Sequence, residues 1–112
     1  ARYADAVIDT VAELIPVMDN LERALAVEVT SDDAKALKDG VEMVKKQMME
    51  SLTKLKITEI PAVGEEFNPN LHNAVMHIDD EAFGENTVAE VFQKGFKIGD
   101  KVIRHAMVKV AN

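Results

Sequence analysis

Three histidines and two acidic clusters are the side chains in this sequence that most readily suggest chemistry. His72 and His77 are five residues apart, which puts them on opposite faces of a strand and far apart around a helix, so they do not form a metal-binding pair. The acidic residues 79–81, followed by Glu85, lack the spacing of an EF-hand calcium loop, and we interpret them as a solvated loop. We expect His105 to be partly exposed on a strand.

Candidates for a nucleophile or a phosphate-binding loop are few. The chain contains no cysteine, which excludes thiolate catalysis and cysteine-based zinc sites. Ser31 and Ser51 have no histidine nearby in sequence, and the turns at Gly64 and Gly99 lack the spacing of a phosphate-binding motif. We therefore predict that the chain is not an enzyme and needs no cofactor or metal.

The charge distribution excludes further classes of partner. The net charge is −7, and residues 58–90 carry eight acidic side chains and no Lys or Arg. Residues 91–112 carry one acidic and five basic side chains. An acidic chain is a poor nucleic-acid binder because phosphate contacts need a basic field, whereas its basic C-terminal segment suits an acidic protein surface. The alternative explanation of this charge distribution is that the acidic and basic segments of the chain pair with each other.

No apolar run in the sequence approaches the roughly 20 residues that span a bilayer.

The first half of the chain has the periodicity of two amphipathic helices. In the first helix, Pro16 should introduce a kink or a restart. Residues 30–33 provide a break and several possible N-caps, and the second helix should extend to about Lys56. One such hairpin cannot bury two wide apolar seams, but two copies can do so as a four-helix bundle. The predicted dimer interface comprises Val11, Leu14, Met18, Leu21, Leu25, Val41, Val44 and Met48.

The second half has the composition of short strands. Glycines and prolines separate stretches rich in Val, Ile and Phe. We predict strands over 74–78, 87–96 and 102–110, with a tight hairpin turn at Gly99-Asp100. Within 102–110, Ala106, Val108 and Val110 should share one face, opposite Met107 and Lys109. The predicted fold class is thus α+β, with a helical dimerisation region over 1–57 and a β-domain over 58–112.

Three blocks of residues resemble a known protein family. The first is Leu14-Ile15-Pro16-Val17-Met18-Asp19-Asn20-Leu21-Glu22-Arg23-Ala24-Leu25, and the second is Phe67-Asn68-Pro69-Asn70-Leu71-His72-Asn73-Ala74-Val75. The third comprises Gln93-Lys94-Gly95-Phe96, then Asp100-Lys101-Val102-Ile103-Arg104 and Ala106-Met107-Val108-Lys109-Val110. In order and spacing these blocks are similar to the GrpE family, the nucleotide exchange factors of DnaK-type heat-shock chaperones.

This resemblance implies a fold and a mechanism without bond chemistry. The implied fold is a paired long helix, a four-helix bundle from two subunits and a small β-domain on each. The family's stalk would lie mostly before Ala1, so we expect this chain to be the bundle and β-domain of a longer protein. The implied activity is opening of the chaperone's ATPase cleft in the cytoplasm, so that ADP leaves. A dimeric scaffold without exchange activity is the alternative function.

The resemblance also implies which side chains contact the chaperone. Phe92 and Val110 match apolar contact positions, and burial in the domain's own core is the alternative for both. Lys101 matches a position that is usually Arg, so it offers a point charge where Arg would offer a bidentate pair. Arg104 and Met107 lie in the same matching block and complete the predicted set. Phe96 stands where Tyr is common.

Overall fold

The computed structural model describes residues 2–112, with Arg2 described by its backbone alone. Ala1, where the first predicted domain begins, lies outside the described residues. The chain divides into two compact units between Lys56 and Ile57, one residue before the predicted boundary. We call them the helical unit and the β-unit. The first consists of helices and the second of short strands, which confirms the α+β class.

The helical unit contains α1 (Arg2–Leu25) and α2 (Asp32–Lys54). Of the two predicted effects of Pro16, a kink or a restart, the restart is wrong, because α1 continues through Pro16; the kink stays a prediction. Proline removes one backbone donor. Pro16 lies on the exposed side of the helix, where water can bond the carbonyl that the missing N–H leaves without a helical partner.

Helix α2 begins at a predicted cap and runs back along α1. The Ser31 hydroxyl accepts a hydrogen bond from the backbone N–H three residues later, at 3.2 Å, which confirms a cap within the predicted break. The Lys38 ammonium donates to the Val27 carbonyl at 3.0 Å. Lys45 and Glu22 form an ion pair at 3.7 Å. Because higher numbers in α2 meet lower numbers in α1, the two helices are antiparallel.

Apolar residues of the helical unit fall into a buried set and an exposed set. The buried side chains are Val11, Ile15 and Met18 of α1 and Leu52 of α2. Their spacing places them on one face of each helix, and the two helices pack together through these faces. A second set remains exposed: Leu14 and Val17 of α1, Leu37 and Val44 of α2, and Leu55 directly after α2. One hairpin thus leaves a substantial apolar surface uncovered.

The β-unit contains six strands in two three-stranded sheets. The strands are β1 (Ile57–Glu59), β2 (His72–Ile78), β3 (Thr87–Gln93), β4 (Phe96–Ile98), β5 (Lys101–Arg104) and β6 (Ala106–Ala111). The hairpin sheet has the order β1-β4-β5 and is antiparallel. The mixed sheet has the order β2-β6-β3, with β2 parallel and β3 antiparallel to β6. The chain therefore leaves the mixed sheet after β3 and returns to it at β6.

The predictions of single strands over 87–96 and 102–110 are wrong. The first is interrupted after Gln93, and the second is interrupted at His105, which is exposed and lies outside any strand. Both interruptions occur where the chain changes sheets. The predicted hairpin turn at Gly99-Asp100 is confirmed: it joins β4 to β5, and Gly99 has φ +56°, as this turn requires.

The chain passes between the two sheets at two connections, residues 93–96 and 104–106, and these connections pack closely against each other through their backbones. Gly95 is buried, and a Cβ at this position would lie 2.8 Å from the Arg104 carbonyl oxygen and closer still to the Ala106 nitrogen. The Arg104 side chain binds the same region, since its Nε donates to the Lys94 carbonyl at 3.0 Å and Nη2 donates to the same oxygen. Only glycine fits where the two connections cross.

One buried apolar cluster of the β-unit lies against one face of the mixed sheet. Ala106, Val108 and Val110 are buried, whereas Met107 and Lys109 are half-buried, which confirms the predicted alternation along β6. Val88 of β3 and Ala62 complete the buried cluster, with Phe67 and Val91 packed against it.

His72 is a buried histidine with both ring nitrogens bonded. Only 3% of its surface is exposed. Its Nδ1 accepts from the Asn68 backbone N–H at 3.0 Å, and Nε2 donates to the Pro61 carbonyl at 2.9 Å. The ring also stacks at a tilt near Phe67, with centroids 5.9 Å apart. His72 therefore fastens the loop before β2, and His77 on the same strand is exposed.

We expect His72→Leu to lower the free energy of unfolding of the β-unit by about 2 kcal/mol. The substitution leaves the Asn68 N–H and the Pro61 carbonyl, whose hydrogen bonds are partly buried, without their partner; a fully buried unsatisfied group costs about 1–3 kcal/mol, so about 2 kcal/mol is expected for the two together. Amide hydrogen exchange of the β-unit amides measures the change. His77→Leu is the matched control and should change stability by less than about 0.5 kcal/mol. Equal effects of the two substitutions would contradict this role for His72.

Candidate partner-binding surface

Phe92 lies on the solvent face of the mixed sheet. It belongs to β3 and is 47% exposed, so the alternative of burial in the core does not apply to it. The Lys109 ammonium lies 5.7 Å from the Phe92 ring centroid, within the range of a cation–π interaction. Lys109 also pairs with Glu90 at 2.9 Å. An exposed aromatic ring is thus held beside a neutralised charge pair.

Met107 lies next to this ring on the same face. It precedes Lys109 by two residues on β6, so the two side chains share a face. Its partner across the sheet is Gln93, the residue after Phe92. We call Glu90, Phe92, Met107 and Lys109 the Phe92 surface. It combines an exposed ring and a thioether with one ion pair, a composition suited to a protein interface.

Lys101 lies elsewhere in the β-unit. It is the first residue of β5, directly after the hairpin turn, and its side chain is exposed. It therefore belongs to the hairpin sheet, whereas the Phe92 surface belongs to the mixed sheet. A partner that contacts both must cover the sheet change at residues 93–95. The relative position of the two sheets, fixed by Gly95 and Arg104, hence determines how Lys101 and Phe92 are presented together.

Arg104 and Val110 are placed where direct contact with a partner is limited. Arg104 is half-buried and its guanidinium bonds the Lys94 carbonyl, so its evident role is to hold the sheet change. Val110 is 5% exposed and belongs to the core cluster. Its burial favours the packing role that the sequence left open, and direct contact by Val110 remains a prediction.

The predicted dimer residues also separate by exposure. Val11 and Met18 are buried within the single chain. The half-buried members are Leu21, Leu25, Val41 and Met48. Leu14 and Val44 are 45% and 54% exposed. The predicted seam therefore joins α1 to α2, and its exposed members leave apolar area available to a second subunit.

Glu90 and Lys109 are members of the Phe92 surface that sequence reasoning missed. The alternation of side chains along a strand could have identified both residues. Glu90 is two residues before Phe92 and Lys109 two residues after Met107, so each shares a face with a predicted contact residue. Pairing β3 antiparallel to β6 would have brought them together.

Residues 2–112 contain neither a candidate metal centre nor a candidate membrane span. No group of three or more His, Cys, Asp or Glu side chains in this range is arranged to hold a metal ion. Within the same range, neither helix is long and apolar enough to cross a membrane.

Comparison with known proteins identifies the family. The GrpE family model matches residues 1–112. The chain is 60% identical to Protein GrpE of Clostridium acetobutylicum over 110 residues, which is 98% of this chain and 53% of that relative. It is 57% identical to Protein GrpE of Clostridium beijerinckii, over 98% of this chain and 51% of that relative. Protein GrpE of Bacillus velezensis is 53% identical, over 91% of this chain and 53% of its own length. The chain spans about half the length of these relatives, and it belongs to the GrpE family.

Proposed function

We propose that this chain is the part of a co-chaperone that binds the ATPase domain of a DnaK-type chaperone and promotes release of its ADP in the cytoplasm. The family match over residues 1–112 carries this proposal. The exposed Phe92 and the basic balance of residues 91–112 support it, because they suit a partner with an apolar patch and acidic rim.

The proposed mechanism is a shift between two states of the chaperone. The chain opens the nucleotide cleft only if it binds the open state more tightly than the closed state. A coupling of about 1–3 kcal/mol loosens the nucleotide roughly 5–150-fold. Coupling is reciprocal, so nucleotide loosens the co-chaperone by the same factor. Phe92 supplies apolar contact from the mixed sheet, and Lys101 supplies a positive charge from the hairpin sheet.

A binding measurement tests the proposed partner. The chain should form a complex with the nucleotide-free ATPase domain of a DnaK-type chaperone, detected by isothermal titration calorimetry. Excess ATP should dissociate the complex. A chain that binds equally well with and without ATP would support the scaffold alternative and contradict the exchange mechanism.

We further propose that the chain works as a homodimer through its helical unit. The exposed residues Leu14 and Val44 support this, because an apolar face of this extent is expected to be covered in solution. A second hairpin would cover it in a four-helix bundle.

The substitution Val44→Lys should shift the chain from dimer to monomer, because it places a charge in the proposed interface. Analytical ultracentrifugation should show the dissociation constant of the dimer rising at least about tenfold, which corresponds to about 1.4 kcal/mol. Val27→Lys is the matched control, since Val27 is similarly exposed but lies in the loop between the helices. A Val44→Lys chain that remains as dimeric as the control would refute this interface.

A further inference from the structure

Strand β2 forms an open edge of the mixed sheet. It is the terminal strand in the order β2-β6-β3, and within residues 2–112 its other side pairs with no strand. Each of residues 73–77 is exposed. Val75 and Met76 are 47% and 49% exposed. An open strand edge presents unpaired backbone donors and acceptors to other chains.

The opposite edge of the same sheet is covered at the start of β3. The Gly64 N–H donates to the Val88 carbonyl at 2.9 Å, and the Val88 N–H donates to the Glu65 carbonyl at 2.9 Å. The Phe67 N–H donates to the Asn86 carbonyl at 2.8 Å. Residues 64–67 thus shield the first residues of β3, whereas β2 has no such cover among the described residues.

The usual protections of an edge strand are weak in β2. Its seven residues include no Lys and no Pro, the residues that most often block pairing at sheet edges. One irregularity at Val75 shifts the register with β6, which twists the strand locally. Its length and its exposed apolar residues leave enough edge for a second strand to pair.

A shallow apolar groove lies over β2 and crosses one face of the mixed sheet, past Val110 of β6, to Phe67 and Asn86 on the β3 side. Its volume is about 380 Å³. The lining residues are Phe67, Ala74, Val75, Met76, His77, Asn86 and Val110. When a peptide adds to a sheet edge, backbone bonds supply affinity and such grooves receive alternate side chains. The groove therefore favours a strand with small or medium apolar residues at every second position.

The chain segment that contains β2 and most of the groove residues is acidic. Residues 58–90 hold eight acidic side chains and no Lys or Arg. Asp79 and Asp80 directly follow β2, Glu66 precedes the groove residue Phe67, and Glu85 precedes the groove residue Asn86. Lys and Arg on a bound segment would be attracted, and an acidic segment would be repelled.

We propose that the β2 edge binds an extended, basic segment of another polypeptide by strand addition. The occupant has apolar residues at alternate positions and Lys or Arg at its ends. This site lies outside the Phe92 surface but includes Val110, one of the predicted chaperone contacts, and the strand addition proposed here does not depend on nucleotide exchange.

The experiment uses a fluorescein-labelled peptide in which three valines alternate with threonines between two lysines at each end. Fluorescence anisotropy should show saturable binding that weakens with added salt, because the charge attraction is screened. A peptide with glutamates in place of the lysines should bind at least tenfold more weakly. So should a lysine peptide N-methylated at alternate backbone amides, because it cannot complete the strand pairing. Equal binding of all three peptides, or no binding of the first, would overturn the proposal.

Two substitutions locate the site on the chain. Val75→Lys places a blocking charge on the edge and should weaken binding of the lysine peptide at least tenfold. Val63→Lys is the matched control, because Val63 is 62% exposed in the same unit but does not line the groove; it should change binding by less than twofold. Equal losses for both variants would overturn the assignment to β2.

An NMR titration of the unmodified chain locates the binding site without relying on the folding of a variant. In a titration with the lysine peptide, amide NMR shifts should change most over residues 73–77. Changes centred on β3 or on the hairpin turn at Gly99 would overturn the proposed site.

Discussion

Gly95→Ala should destabilise the β-unit by about 3 kcal/mol, the upper end of what overpacking costs in a well-packed interior. The added methyl group would meet the backbone of residues 104–106, with the Arg104 carbonyl oxygen at 2.8 Å. Backbone atoms cannot turn aside as a flexible side chain can, so one of the two sheet changes must move. A unit of this size has a total stability of about 3–8 kcal/mol, so the substitution should leave much of the β-unit unfolded.

Amide hydrogen exchange measures this effect because it reports the two units separately. Protection should fall throughout the strands of the β-unit. Gly84→Ala is the matched control in the same unit: its Cβ would meet the Thr87 hydroxyl at 3.4 Å, an ordinary contact. The control should change stability by less than about 0.5 kcal/mol. If the amides of the Gly95→Ala chain were as protected from exchange as those of the Gly84→Ala control, the close contact between Gly95 and the backbone of residues 104–106 would not constrain the fold.

Lys101→Glu combined with Phe92→Ala should weaken binding to the chaperone ATPase domain by at least about a hundredfold, or about 2.7 kcal/mol. The first change replaces an attraction with a repulsion at an acidic partner surface, and the second removes an exposed aromatic anchor. Both side chains are exposed, so the fold should survive. The single variants should each lose about tenfold, with the Lys101→Glu effect larger at low salt.

The control for this double variant is Lys35→Glu. Lys35 is exposed in the first turn of α2, where an acidic residue is compatible with the helix dipole. It reverses one charge on the helical unit without touching either predicted contact, and binding should change by less than about threefold. A double variant that binds like this control, while remaining folded, would show that the contact residues lie elsewhere.

The helices were predictable because their signals are local. The three-to-four spacing, the break at residues 30–33 and the Ser31 cap all act within a few residues. The consequence of Pro16 was harder to foresee, because a proline on the exposed side of a helix can be accommodated once tertiary packing holds the flanking turns. The hairpin turn at Gly99 was predictable for the same reason as the cap.

The strand boundaries were less predictable because they depend on residues far apart in sequence. Residues 102–110 have strand composition throughout, and within 87–96 only Gly95 marks the change of sheet. That change follows from Gly95 meeting the backbone of residues 104–106. Strand β1 was missed because three residues carry too little periodicity to recognise.

The contact residues illustrate the same limit. Alternation predicts that Met107 and Val110 lie on opposite faces, but it cannot show which face the core covers. The structure buries Val110 and exposes Phe92. The burial of His72 depends on the Pro61 carbonyl and the Asn68 N–H, and the loop that brings them together has no sequence period.

Release of a fluorescent ADP analogue from a DnaK-type chaperone tests the central claim most directly. The release rate is measured with and without micromolar amounts of the folded, dimeric chain. The account predicts a roughly 5–150-fold acceleration, lost in the Phe92→Ala, Lys101→Glu double variant and retained in Lys35→Glu. A release rate unchanged by the chain would contradict the claim that its helical unit and β-unit together promote nucleotide exchange.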